Sequence, residues 1–336
     1  MKFLRYFEKQ FEFVGLDLGE DELKAIQFDM KDRSIKTTFS CGSGENFSQF
    51  GFKRENLEKA LMELSKSIPK SSNTRFNVSL PAQFTVPKKI RVPETAQSSD
   101  ILGEIANQVP FSLDSVYFDY VLRKTGEGTI AVFLAVKRDI VDFLVSLMSN
   151  AGLSLGVVET EYFSTYNALE FCFPQVSSQV IIMIHLNPSY TVFAVSHFGI
   201  PISCSESRFG YKTVFEDLLI ELGLDWSGVF NWIIGKTEAE IKINQTRFMD
   251  TISFLTEEVC KNLNLLKHLP ELEEGVDSIY VCGPLAHNRR FCAMIQDKLG
   301  IETVGFNPFP AIKSDLDAGF TRALGASLRR FGDKYD

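Results

Sequence analysis

A chain of 336 residues exceeds what one typical core supports, so two or more domains are expected, and 45% hydrophobic with 23% charged residues is an ordinary globular composition. A net charge of −8 and a pI near 5.3 argue against nucleic acid as the main partner, because binding phosphate calls for a basic face. Cys41, Cys172, Cys204, Cys260, Cys282 and Cys292 follow no paired spacing and read as thiols of a reducing compartment, and no run reaches the ~18 apolar residues of a membrane span, so a cytoplasmic protein is expected.

At the start, Phe3, Phe7 and Phe11 share one helix face, read as a short helix packed on the domain. The alternating run Val14-Gly15-Leu16-Asp17-Leu18-Gly19 meets an acidic turn, Glu20-Asp21-Glu22. Leu23, Ala25, Ile26 and Phe28 then return as the second strand of a hairpin, and Ile35 to Phe39 completes a three-stranded meander. A helix from Arg54 to Ile68 ends at Pro69. Phe76 to Leu80 reads as a strand. Thr85 to Val92, Val116 to Arg123 and Thr129 to Val136 read as three further strands, accompanied by helices at Asp100 to Val109 and Asp139 to Ala151. Together these form a small α+β module inserted into the first domain. Strand character resumes at Leu155 to Val158, and Tyr162 to Phe171 is helical.

A second meander follows. Ile181 to Leu186, the turn Asn187-Pro188-Ser189-Tyr190, Thr191 to Ser196 and Ile200 to Cys204 repeat the first, pairing Asp17 with His185 and Gly19 with Asn187. Helices are expected at Tyr211 to Leu222, Phe248 to Leu266, Arg289 to Leu299 and Asp315 to Phe331. Strands are expected at Ser278 to Cys282, stopping at Gly283-Pro284, and at Thr303-Val304. Trp226, Phe230 and Trp232 are candidate contact residues. Two meanders, each carrying helices on its sheet, are the organisation of the actin, sugar-kinase and Hsp70 fold, whose two hairpin tips hold a triphosphate.

Gly15-Leu16-Asp17-Leu18-Gly19, Val109-Pro110-Phe111, Ala135-Val136-Lys137-Arg138, Ala151-Gly152-Leu153, Val157-Val158-Glu159, Tyr280-Val281-Cys282-Gly283 and Ala323-Leu324-Gly325-Ala326-Ser327-Leu328-Arg329 fall in the order seen in the PilM family. The chain resembles that family over nearly its whole length. PilM proteins are the FtsA-like, actin-fold cytoplasmic components of type IV pilus machines, and the cytoplasmic domain of GspL from type II secretion is a close cousin. The resemblance implies an α/β class: a duplicated actin-like, ribonuclease H-like two-domain fold with an inserted small α+β subdomain. Its expected divisions are 1–79 and 155–177 for the first core and 80–154 for the insert. The second core takes 178–235 and 276–311, its own subdomain 236–275, and 312–336 is a helix returning to the first core.

The resemblance further implies a scaffold at the inner face of the inner membrane, docking the N-terminal tail of a PilN-like or GspL-like membrane protein. Contact with a cytoplasmic secretion ATPase and self-association belong to the same expectation. Phe84, Val86, Ile90, Val109, Phe111 and Tyr117 are the candidate groove wall, each of which could equally belong to the module's own core.

The departures from the family fall where ATP and magnesium would be held. Asp17, Gly19, Lys24, Glu159 and Gly283 are the candidate nucleotide-site residues. Glu20 brings a carboxylate to the first tip, repelling a phosphate ~4 Å away by about 1 kcal/mol in bulk water. At the second tip His185 and Asn187 stand where Asp and Gly are expected, Pro188 removes a backbone N–H, and Pro284 stiffens the adenosine-side turn. The preferred reading is therefore a scaffold without catalysis and without cofactor. The alternative is an ATP-binding, slowly hydrolysing protein able to polymerise. No Ser/His/Asp or Cys/His arrangement is visible, and the four histidines are scattered.

Overall fold

The structure is a computed structural model that describes residues 11–42, 44–48, 51–69, 71–93, 95–125, 128–222, 245–266, 268–269, 272–273 and 275–330. Of the residues named above, Phe3, Phe7, Trp226, Phe230, Trp232 and Phe331 lie outside these. The chain divides into two compact units, Met1–Ala168 with Arg322–Asp336, and Leu169–Thr321.

The first unit opens with strands β1 (Glu12–Leu18), β2 (Glu22–Asp29) and β3 (Ser34–Gly42), a short hairpin of β4 (Phe47–Ser48) and β5 (Gly51–Phe52), then helix α1 (Arg54–Ser67) and β6 (Thr74–Leu80). The inserted segment holds β7 (Thr85–Val92), α2 (Ser98–Gln108), β8 (Val116–Thr125) and β9 (Gly128–Lys137). Helix α3 (Arg138–Asn150), strand β10 (Leu155–Thr160) and helix α4 (Glu161–Cys172) lead out of it. The core sheet has the order β10-β6-β1-β2-β3, with β1 parallel to β6 and antiparallel to β2. Six of the seven β1 residues are buried, so the strand reads as nearly continuous apolar sequence because both of its faces are covered.

Side chains alternate across that sheet. Val14, Leu16 and Leu18 join Leu57, Leu61 and Leu64 of α1 and Leu144, Leu147 and Met148 of α3 in one buried cluster. The sequence reading places α3 in the inserted module; its apolar stripe bridges module and core, because Leu144, Leu147 and Met148 share this cluster with Val136 of the module as well as with the core strands and α1. The module's own core lies between the antiparallel sheet β7-β9-β8 and α2, closed by Ile90, Val92, Ile101, Ile105, Ala131 and Phe133, while α3 meets the other face of that sheet at Val136.

The second unit repeats the plan with β11 (Val180–Leu186), β12 (Thr191–His197), β13 (Ile200–Ser207), α5 (Tyr211–Leu222), α6 (Gln245–Leu266), β14 (Ser278–Cys282), α7 (Arg289–Leu299) and β15 (Thr303–Gly305). Its sheet order, β13-β12-β11-β14-β15, is that of the first sheet with each strand in the corresponding place. Phe215, Ile252, Leu255, Val259, Phe291 and Ile295 cover one face.

The last helix, α8 (Thr321–Leu328), is shorter than its apolar pattern predicts. Asp317 accepts from the Gly319 amide at 2.9 Å and begins a 3₁₀ turn at 318–320, which delays the α-helix. From Arg322 on, α8 belongs to the first unit. It lies against the face of β1 that carries Gly15 and Asp17. A Cβ on Gly15 would sit 1.9 Å from the Ala323 carbonyl oxygen, and one on Gly325 would sit 1.6 Å from that of Ser164 in α4. Only glycine permits this double close approach. At the other end Asn77 of β6 donates to the carbonyls of Ala326 and Arg329 and accepts from the Val157 amide, tying helix and sheet together.

Candidate functional site

Two places in the first unit gather the residues singled out by sequence. The first is an open groove of about 510 Å³ between the inserted module and the core helices. Its floor is an aromatic stack. The β4–β5 hairpin sets Phe47 opposite Phe52, and Phe52 lies between Phe84 (centroids 4.3 Å apart) and Phe143 of α3 (5.7 Å). The module supplies the other wall. Val86, Val116, Ala135 and Lys137 share one sheet face with Ile90 and Phe133, but they lie toward the end at which the groove opens. Pro110 and Phe111 follow α2 into the rim, where Lys137 Nζ stands 4.4 Å from the Phe111 ring centre and Arg54 lies 4.8 Å over Phe143. Among the described residues, β7 and β8 pair only with β9, leaving each with an outer edge.

Of the expected wall residues, Phe84, Val86 and Phe111 line this groove. Ile90 and Val109 do not; both are buried in the module's own cluster. Tyr117 also falls outside it. Tyr117 pairs with Val136 on the opposite sheet face, where Arg138 covers its ring at 4.2 Å and its hydroxyl donates to Asp142 at 3.2 Å. Sequence reasoning missed Phe52, Ile140 and Phe143. The last two belong to the α3 stripe but stay half-buried where it runs past the core.

The second place is a buried acidic pocket beneath α8. Asp17, Ser79 and Glu159 stand abreast on β1, β6 and β10, in paired register and on one face of the sheet. Arg322 enters from above. Its Nε donates to Asp17 Oδ2 at 3.0 Å and its Nη1 donates to Glu161 Oε2, while Glu161 Oε1 accepts from the Ala82 amide at 2.7 Å. All three charged side chains are buried. Burial pushes the Asp17 carboxyl above the usual carboxylate range, against the pull of Arg322 and then of Lys24. Asp17 Oδ1 and Ser79 Oγ have no hydrogen-bond partner among the described residues. Glu159 accepts from Ser164 (2.7 Å) and Asn167 (3.2 Å), and burial lifts its pKa to about 7. Lys24 pairs with Glu22 at 2.8 Å, and Gly19 gives its carbonyl to the buried Asn46 amide at 2.9 Å.

Neither Glu161 nor Arg322 stands among the sequence candidates. A signal exists for the second: it is the one charged residue in the otherwise small and apolar run Thr321 to Leu328.

In the second unit the corresponding tip is tied down by its own helix. The amides of Tyr211 and Lys212, which open α5, donate to the carbonyls of Asn187 (3.1 Å) and Pro188 (2.9 Å). Gly283 has φ +79°, and a Cβ there would lie 2.9 Å from His185 Nε2, so imidazole and turn are in direct contact. Pro284 begins a 3₁₀ turn that buries Leu285 and sets His287 Nε2 to accept from the Ala318 amide at 3.3 Å.

A family model described as type IV pilus assembly protein PilM matches residues 15–319. The chain belongs to the PilM family. Among solved structures, this PilM-family chain is similar to the PilM-PilN type IV pilus biogenesis complex, at 18% identity and TM-score 0.75 over 95% of this chain and 98% of that one. It is similar to the ethanolamine utilization protein EutJ from Carboxydothermus hydrogenoformans, at 13% identity and TM-score 0.56, over 94% and 88% of the two chains. MreB5 of Spiroplasma citri, in a structure bound to ADP, matches at 12% identity and TM-score 0.53, over 95% and 96%. At these identities the likeness speaks for the fold, and that fold is the actin-like one.

Proposed function

We propose that this PilM-family protein is a cytoplasmic scaffold of a type IV pilus assembly platform that docks the extended N-terminal tail of a PilN-like inner-membrane protein. The observation that carries this reading is the groove floored by Phe52, Phe84 and Phe143. It offers an aromatic surface beside a module sheet whose outer strands, β7 and β8, pair only with β9 among the described residues, and an extended peptide gains affinity from side-chain pockets and main-chain hydrogen bonds without any catalytic group. Among the described residues no helix is long and apolar enough to cross a membrane, so a partner would supply the anchor.

The actin-like fold implies a nucleotide with magnesium, and the residues present do not fit one. Asp17 Oδ2 is held by Arg322, and the amides opening α5 are spent on Asn187 and Pro188. Binding of a fluorescent peptide carrying the tail sequence of the partner, read by polarisation, tests the reading. Saturable binding that Phe52→Ala weakens supports it; no binding to the intact protein sinks it.

A further inference from the structure

The pocket beneath α8 contains three buried carboxylates; Glu159 is held by Ser164 and Asn167, whereas the other two, Asp17 of β1 and Glu161 at the head of α4, come from separate elements and share one partner. Two such groups placed together call for a positive charge, since burial without one would force at least one of them to hold a proton. That charge comes from inside the molecule. Arg322, 305 residues beyond Asp17, puts Nε on one carboxylate and Nη1 on the other, using the forked donor geometry that a guanidinium alone among side chains provides. The second unit shows the mirror situation for the opposite charge. The first amides of α5, a natural seat for an anion, are satisfied by the carbonyls of the chain's own hairpin tip.

We infer that Arg322 is an internal stand-in for a divalent cation, neutralising the acidic pocket of the first unit so that the protein holds its folded form without metal or nucleotide. Its grip has a residue. Asp17 Oδ1 and the neighbouring Ser79 Oγ are buried with no hydrogen-bond partner among the described residues, marking the side of the pocket that the guanidinium does not reach. The helix that carries Arg322 is fixed at its middle by the Gly15 and Gly325 contacts and at its end by Asn77, so the charge is delivered in a set position.

The test is thermal melting of the full chain with and without millimolar MgCl₂, alone and with ATP. The wild-type midpoint is expected to stay where it is in all conditions. Arg322→Met is expected to fall on the order of 10 °C and to regain part of the loss on adding MgCl₂. The triple variant Asp17→Asn, Glu161→Gln, Arg322→Met, which removes the charges together, is expected to recover most of the stability and lose the magnesium response. Should Arg322→Met fail to fold, Arg322→Gln replaces it, and recovery of soluble protein by the triple variant reads the same comparison. Three results overturn the inference: a wild-type midpoint that rises with magnesium and no longer does so in Asp17→Asn, a charge-removed triple no more stable than the single variant, or a single variant indifferent to magnesium.

Discussion

Arg322 Nε and Asp17 Oδ2 meet at 3.0 Å inside the first unit although 305 residues separate them in the chain. With Glu161 on the other arm of the guanidinium, the pair joins β1, α4 and α8 at one buried point. Buried ion pairs are weak sources of net stability but costly to break one-sidedly. Their use here is positional: they fix where the last helix lies on the first strand.

The close backbone approaches on either side of α8 make a sharp prediction. A methyl at Gly325 would fall 1.6 Å from the Ser164 carbonyl oxygen, and that obstacle is backbone with no rotamer to escape through. Gly325→Ala is expected to cost roughly 3 kcal/mol or more in urea unfolding. An unchanged midpoint would mean that α8 does not seat on α4 in this way.

Asn77 is the second clamp. Replacing it with Ala leaves the Val157 amide unmet and takes one of two donors from each of the Ala326 and Arg329 carbonyls, which keep the Arg329 amide and Arg330 Nη1, with an expected loss of about 2 kcal/mol. Asn77→Asp is expected to do no better, because it keeps the acceptor for Val157 but turns a carboxylate toward two carbonyls. Hydrogen exchange of the Val157 amide and the α8 amides, faster in both variants, is the accompanying measurement.

Glu159 makes stability depend on pH. The folded chain holds its proton up to about 7, whereas the unfolded chain releases it near 4.5. Its contribution is therefore fully present below pH 4.5 and is lost as pH rises through 7, by roughly 3–4 kcal/mol at ~1.4 kcal/mol for each pH unit. The check is the difference between wild type and Glu159→Gln in denaturant midpoint from pH 5 to pH 8, which should shrink or change sign as the wild-type carboxyl ionises.

In the groove, the aromatic floor should carry most of the binding. Phe52→Ala removes the ring that bridges Phe84 and Phe143, and a tenfold to hundredfold loss of peptide affinity is expected, in the range of a central hot spot. Ile90→Ala serves as the contrast. It lowers stability through the module's core while leaving affinity near wild type, because Ile90 lies in the buried cluster.

Much of this architecture is legible in the sequence because both meanders announce themselves by apolar runs broken at Gly19 and at Asn187-Pro188. The groove is only half legible. Val86 and Ile90 lie on the same face of β7, and nothing in their spacing says that one stays open while α2 closes over the other. Tyr117 and Val116 are adjacent yet face opposite ways, which depends on a strand register fixed only by pairing with Val136 and Lys137. Asp17 and Glu159 stand out as carboxylates in apolar strands. Their environments differ, because Arg322 reaches Asp17 and Glu161, whereas Glu159 has Ser164 and Asn167. A contact spanning 305 residues leaves no local periodicity to read.

Residues 169–321 form the second unit without interruption, whereas the first is assembled from both sides of it. A ribosome making this chain thus delivers every residue of the later unit before Arg322 emerges. Until then the earlier unit waits with the Gly15, Asp17 and Asn77 face bare. Order of synthesis and order of completion are inverted: the half begun first is finished last, and a nascent chain stalled short of Arg322 exposes an acidic seam open to chaperones and proteases.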